Sequence, residues 1–326
     1  MANIYKSITE LVGHTPLVEL VNFEENNNLK AKVLGKLEYF NPTGSVKDRA
    51  ALEMLKQAEA NGKLKPGQTV VETTSGNTGI ALAAFCAATK HPCIIYMEPG
   101  CTVERIQIMK AYGAQVLSCE EIPGADKVFA EFGFNPVKLM ELVQKQCDEN
   151  DYYYVSQTFN DGNPDAHYKT TGPELVEDTD GKIDILVALL GTGGTIVGTG
   201  TYLREHVEGI KIVGVQPTPD SLSFVEGAEA TIDGVVIFKN GDQPIQHPFV
   251  VRRNLTFDEV INVSGVDAYK TAREVASGDG IFLGASAAAA LTAAKELALR
   301  PENEGKNIVV MLADNGMKYL STNMYK

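Results

Sequence analysis

The chain has 326 residues, 44% of them hydrophobic and 22% charged, about twice a prior of roughly 150 residues per domain, so two domains sharing one interface are expected. Its 42 acidic against 29 basic residues leave a formal charge of −13. That sign repels polyanions and excludes a broad nucleic-acid or anionic-membrane surface as the main business of the molecule. The composition is that of a folded chain, and no segment approaches the roughly 18 consecutive apolar residues of a membrane helix. The start, MANIYKSITEL, carries no stretch of signal-peptide length, so the cytoplasm is the expected location. The five cysteines lack any C-x-x-C spacing and the five histidines are scattered, so free thiols are expected and neither a disulfide framework nor a metal site.

Short apolar runs alternate with longer amphipathic ones, the pattern of strand, helix and strand in a parallel sheet covered on both faces. In chain order, strands are expected at 32–37, 69–72, 93–97, 115–118, 152–156, 183–189, 212–216, 260–263 and 308–311. Helices are expected between them at 50–61, 79–89, 102–112, 136–148, 194–206, 266–277 and 286–299. Two stretches break the rhythm. Segment 124–135 is poorly periodic and reads as a mobile cap or a linker. Segment 217–254 holds Pro217, Pro219, Pro244 and Pro248 around short β-like pieces such as 234–238, and reads equally as a functional insertion or a surface excursion.

Ligands of open α/β sheets bind at the carboxyl ends of the strands, and three strand-to-helix loops share one chemistry. The run from Ile183 to Leu190 is followed by Gly191, Thr192, Gly193, Gly194 and Thr195 at a helix start. Backbone N–H groups and two hydroxyls there can hold a phosphate without an arginine. A dinucleotide fingerprint fails because Ile196 stands where G-x-G-x-x-G needs its last glycine, and a Walker loop fails for want of G-K-[ST]. The second loop, Thr74-Ser75-Gly76-Asn77-Thr78-Gly79, suits a carboxylate, although capping by Ser75 or Asn77 would explain much of it. In the third, residues 41–49 (NPTGSVKDR), the Ser45/Asp48 spacing of a capping box starts a helix at about Val46. Lys47 then sits in the first turn, where the helix dipole pushes an ammonium toward its neutral, nucleophilic form. On position alone a solvated surface lysine is the simpler reading; with the other two loops, a lysine, a phosphate cup and a carboxylate site specify pyridoxal phosphate and an amino acid.

Residues 41–49, 74–79 (TSGNTG), 171–174 (TGPE), 191–195 (GTGGT) and 319–322 (YLST), with GHTPL at 13–17, resemble the fold-type II pyridoxal phosphate family of cysteine synthases (O-acetylserine sulfhydrylases) and cystathionine β-synthases. NPTGSVKDRAALEM and AHYKTTGPE are most similar to the isoform B branch. The resemblance implies an α/β architecture of two doubly wound domains with mostly parallel sheets and the active site between them. It implies a smaller, mobile domain at 36–156 carrying the lysine and a larger one at 1–35 and 157–326 carrying the cup. Lys47 would carry the cofactor as a Schiff base and later move protons, Asn77 would bond the ring 3′-oxygen, and Gly191, Thr192, Gly193, Gly194 and Thr195 would hold the phosphate. Thr74, Ser75, Asn77, Thr78 and Gln157 would bind the substrate carboxylate. A homodimer is implied, and no regulatory module follows Thr322, so unregulated catalysis is expected.

The sequence departs from the family in several places. Asp314 stands where a serine often faces the pyridine nitrogen; an aspartate would keep that nitrogen protonated, and a simple helix cap is the alternative. The G-x-S-S-G-A segment becomes Gly284-Ala285-Ser286-Ala287-Ala288-Ala289, and the aromatic after Gln157 becomes Thr158. These changes also leave open whether a serine acetyltransferase inserts its C-terminus here. Asp220 and Asp233 of the 217–254 excursion are candidate acid/base groups for a leaving thiol. The expected reaction is β-replacement, O-acetyl-L-serine plus sulfide giving L-cysteine and acetate. The alternatives are a desulfhydrase or lyase releasing hydrogen sulfide with serine or pyruvate, and β-replacement that forms cystathionine or lanthionine. From other classes, a nicotinamide oxidoreductase is disfavoured by Ile196, and a non-catalytic binding protein retaining the fold stays open.

Overall fold

The computed structural model describes residues 4–98, 100–223, 225, 227–235, 237 and 247–326. Ten strands are formed among them: β1 Leu17–Glu19, β2 Lys32–Leu37, β3 Val70–Thr74, β4 Cys93–Met97, β5 Gln115–Ser118, β6 Tyr153–Tyr154, β7 Ile185–Leu189, β8 Lys211–Pro217, β9 Glu259–Val263 and β10 Asn307–Leu312. They build a four-stranded sheet in the order β5-β4-β3-β6 and a six-stranded sheet in the order β1-β2-β10-β7-β8-β9. Every pairing is parallel except β1 with β2. The expected α/β class with two mostly parallel sheets therefore holds. The three-residue β1 was not expected; it is too short to show a period, and it covers one edge of the larger sheet.

Parallel strands are buried on both faces and so read as unbroken apolar runs, as β7 (ILVAL) does with four of its five residues buried. The helix Asn77–Thr89 fills the core of the smaller sheet with Ile80, Leu82 and Phe85, none of them exposed. Under the larger sheet lies the helix Ala285–Leu299, whose Ala287, Ala288, Ala289 and Ala290 are fully buried. Such small side chains let a helix lie close to the strands, so here the loss of the glycine-serine pattern produces a core wall.

Several expectations need correction. Segment 124–135 contains a helix, Ala125–Phe132, entered through Gly124 at φ +88° and left through Gly133 at φ +67°; these two glycines disguise an amphipathic turn as a linker. A continuous helical run from Gly162 through Asp178, with a π turn at His167–Thr171, was missed because Gly162, Pro164, Gly172 and Pro173 interrupt its pattern. The strand expected at 152–156 is cut to the two residues of β6, with Ser156 turned to φ +54°. Within 217–254, a turn at Pro219–Ser221, a bridge between Leu222 and Ile232 and a helix at Pro248–Arg253 are formed. Val236 and Phe238 of the β-like piece lie outside the described residues. Residue 36 falls inside β2, a strand of the six-stranded sheet, so a domain boundary there would cut an element. Among the described residues no helix is long and apolar enough to cross a membrane, and no cluster of side chains is arranged to hold a metal ion.

Candidate active site

The three loops open onto one cavity of about 650 Å³ lined from both sheets, at the carboxyl ends of β3, β7 and β10. The first loop turns at Gly44, φ +80°, whose N–H donates to the Asn41 carbonyl at 2.8 Å. It is tied to the end of β10 by Val46 N–H donating to Ala313 O at 2.8 Å and by the bridge between Ser45 and Asp314. Lys47 is the first residue of the helix Lys47–Ala60, one residue later than expected. The capping box does not form. Ser45 Oγ accepts from Lys47 N–H at 3.3 Å, but Asp48 turns back to Thr43, accepting from its N–H at 2.6 Å and from its hydroxyl. Burial drives the Lys47 pKa down, opposed by the charge of Asp314 and reinforced by that of Lys318.

In the second loop no side chain caps the helix Asn77–Thr89, so the capping explanation for Ser75 and Asn77 fails and the first N–H groups of the helix keep their capacity for an anion. Gly76 is at φ +153°, and a Cβ there would lie 2.3 Å from Arg105 Cδ. The Thr78 hydroxyl donates to Gln157 Oε1 at 2.6 Å, and Gln157 N–H donates to Glu72 Oε2 at 2.9 Å. Glu72 is buried, which pushes its carboxyl up to about 8 against the opposing N–H bonds of Gln157 and Thr73. Asn77 is held at both ends of its amide: Oδ1 accepts from Lys318 Nζ at 2.9 Å and Nδ2 donates to Asp314 Oδ2 at 2.8 Å.

The third loop follows β7. Gly193, at φ +79°, leads into the helix Gly194–His206, which also has no side-chain cap. Asn163 Nδ2 braces the turn by donating to Thr192 Oγ1 at 3.0 Å. The Thr195 hydroxyl lies 3.3 Å from His167 Nε2, and burial beside Arg49 pushes His167 down to about 3, leaving it neutral.

Of the residues singled out from sequence, Lys47, Thr74, Ser75, Asn77, Thr78, Gln157, Gly191, Thr192, Thr195 and Asp233 line the cavity. Gly193 and Gly194 form the turn that carries the cup, and Asp314 is fully buried beneath it all. Asp314 Oδ2 also accepts from the Tyr319 hydroxyl at 3.0 Å, while its Oδ1 is buried with no partner. Asp220 is a correction: it is exposed and accepts from the Thr218 hydroxyl at 2.5 Å, away from the cavity. Sequence reasoning missed Arg105, whose Nη1 lies 3.3 Å from Asp233 Oδ2 and whose guanidinium sits 4.9 Å from the Tyr319 ring centre. It also missed Lys318, although that residue adjoins the YLST motif. Burial raises the Asp233 pKa, with Arg105 opposing.

The family described as "Pyridoxal-phosphate dependent enzyme" matches residues 8–314. A Bacillus subtilis (strain 168) protein named "Probable cysteine synthase" is 40% identical over 331 residues, covering 100% of this chain and 99% of its own length. The crystal structure of a cysteine synthase from Entamoeba histolytica superposes with a TM-score of 0.82 at 39% identity, over 99% of this chain and 91% of that one. The crystal structure of a hydrogen sulfide-producing enzyme from Fusobacterium nucleatum gives 0.80 at 31% identity, over 97% and 100%. With the family match spanning nearly the whole chain and the loops meeting at one cavity, this chain belongs to the pyridoxal-phosphate dependent enzymes of the cysteine synthase type.

Proposed function

We propose that the chain catalyses β-replacement on an O-activated serine, O-acetyl-L-serine plus sulfide giving L-cysteine and acetate. The observation that carries this reading is the convergence of Lys47 and two uncapped helix starts on one cavity. The residues fit the cofactor. The buried, unpartnered Asp314 Oδ1 is an acceptor awaiting a donor such as a protonated ring nitrogen, and the Gly193–Gly194 turn leaves no room for a Cβ.

Bound pyridoxal phosphate supplies an electron sink for the pair released at the substrate Cα. The chain does the rest. Lys47, biased toward its neutral form, takes the Cα proton. Thr74, Ser75, Asn77 and Thr78, with Gln157, would hold the substrate carboxylate, helped by the positive end of the helix Asn77–Thr89. Gly191 to Thr195 would hold the phosphate through backbone N–H groups. Purified holoenzyme given both substrates is expected to form cysteine and acetate, and borohydride reduction is expected to leave a pyridoxyl mass on Lys47. Absence of both would reject the proposal.

One observation favours a second activity. Asp233 lines the cavity, and its burial favours a carboxyl that holds a proton more tightly than usual. Such a group can pass a proton to a departing thiolate, which supports release of hydrogen sulfide from cysteine. Asp233→Asn is then expected to lose sulfide release from cysteine more than cysteine formation; equal losses would remove Asp233 from that step.

A further inference from the structure

Lys318 is a second lysine beside Lys47, only 4% exposed, in a place no surface role explains. Its Nζ donates to Asn77 Oδ1 at 2.9 Å and to Gly44 O at 3.0 Å. Its own carbonyl accepts from the Thr102 hydroxyl at 2.9 Å, which anchors it to the start of the helix Val103–Ala111. An ammonium only donates and a carboxylate only accepts. With Lys318 on one side of Asn77 and Asp314 Oδ2 on the other, a flipped amide would set NH₂ against NH₃⁺ and C=O against a carboxylate. Both charge-assisted bonds would be lost together. The amide is therefore fixed with one N–H on Asp314 and the second unused by it, in a residue that lines the cavity.

We propose that Lys318 is a positioning residue: its ammonium locks the Asn77 carboxamide with N–H, never oxygen, toward Asp314 and the cofactor ring. The inference rests on the reading that Asn77 faces that ring. It also joins the lysine loop to the substrate loop, because the same ammonium holds the Gly44 carbonyl three residues before Lys47. The charged groups around Lys318 are Asp314 and Asp48, which favour its charge, and Arg105 and Lys47, which oppose it.

The test compares holoenzymes of wild type, Lys318→Met, Lys318→Arg, Asn77→Ala and the Lys318→Met/Asn77→Ala pair. Borohydride reduction is expected to leave the pyridoxyl mass on Lys47 in wild type and Lys318→Met alike. Against that unchanged adduct, Lys318→Met should weaken cofactor binding about tenfold and raise the pH midpoint of the cofactor's visible absorbance by about one unit, since a like charge beside Lys47 is gone. Lys318→Arg should restore both. Asn77→Ala should add little in the Lys318→Met background, because the two act as one unit. Wild-type binding and midpoint in Lys318→Met, or fully additive losses, would refute the proposal while leaving the enzyme reading intact; a wild-type Lys47 without the adduct would refute both. Lys318→Gln, which retains a donor without charge, carries the same measurements where Lys318→Met does not fold.

Discussion

A methyl group added at residue 194 would meet Asn163 Oδ1 at 1.9 Å. Asn163 cannot yield freely, because its Nδ2 bonds both Thr192 Oγ1 and Gln157 O, each at 3.0 Å. Gly194→Ala is therefore expected to cost about 1–3 kcal/mol of stability by overpacking and to weaken cofactor binding, as read by denaturant melts and by titration of apoenzyme. A wild-type affinity would show that Asn163 does not brace the cup. This glycine was legible in sequence, since a Gly-Thr turn between strand and helix has one evident use. Lys47 was legible only beside the other two loops, since its own position reads more simply as a surface lysine and the capping box that placed it does not form. Arg105 was not legible, because nothing within a few residues marks it, and neither was Lys318, although it adjoins YLST; the fold gives Arg105 its meaning by bringing up Asp233 and Tyr319, and Lys318 its meaning by bringing up Gly44 and Asn77.

Among the elements, the helix Lys47–Ala60 owes its setting to Arg49, whose Nε lies 2.8 Å from Glu38 Oε2 and whose Nη1 lies 2.6 Å from Glu174 Oε1. All three are buried. Glu38 follows β2 and Glu174 lies on the helix Gly172–Asp178, so the network pins the helix Lys47–Ala60 to the larger sheet and gives the TGPE motif a physical task. Arg49→Met would leave Glu38 charged and unpaired, and a loss of about 3–5 kcal/mol is expected in chemical denaturation; a loss below about 1 kcal/mol would deny the network its role. The pairing with Arg49, opposed by burial, depresses the Glu174 pKa from its ordinary 4.5 to about 2. A depressed carboxyl stabilises the fold above its unfolded pKa, so this contribution is full above about pH 4.5 and fades as pH falls toward about 2. Glu174→Gln is expected to flatten that acid limb in pH-dependent melts. The sequence pattern revealed every described strand except the three-residue β1 through the apolar runs of the parallel strands, although β3 also buries Glu72 and Thr73. It hid the helical run 162–178, where glycine and proline serve tight packing and a π turn while erasing the period.

At the scale of the whole molecule, the cavity draws its walls from both sheets, so cofactor bound there adds to the long-range contacts that already join them, such as Arg49 with Glu174 and Thr102 with Lys318. Saturation at about 100 times Kd should add about 2.7 kcal/mol to unfolding, seen as a Tm that climbs with cofactor concentration, and Lys47→Ala should blunt the rise. A Tm indifferent to cofactor would mean that the folded chain does not bind it in preference to the unfolded one. The two-sheet plan was visible in the sequence, but which strand lies beside which was not, and that order carries a consequence for biosynthesis. β10, residues 307–312, inserts between β2 and β7, so the larger sheet has a gap at its centre until residues 307–312 have left the ribosome. Lys47 and residues 191–195 are made before β10, yet the cavity wall that includes Met311 and Ala313 closes only with that strand. A nascent chain stalled or truncated before residue 307 should thus be unable to retain cofactor, which makes loading itself a checkpoint for the synthesis of β10.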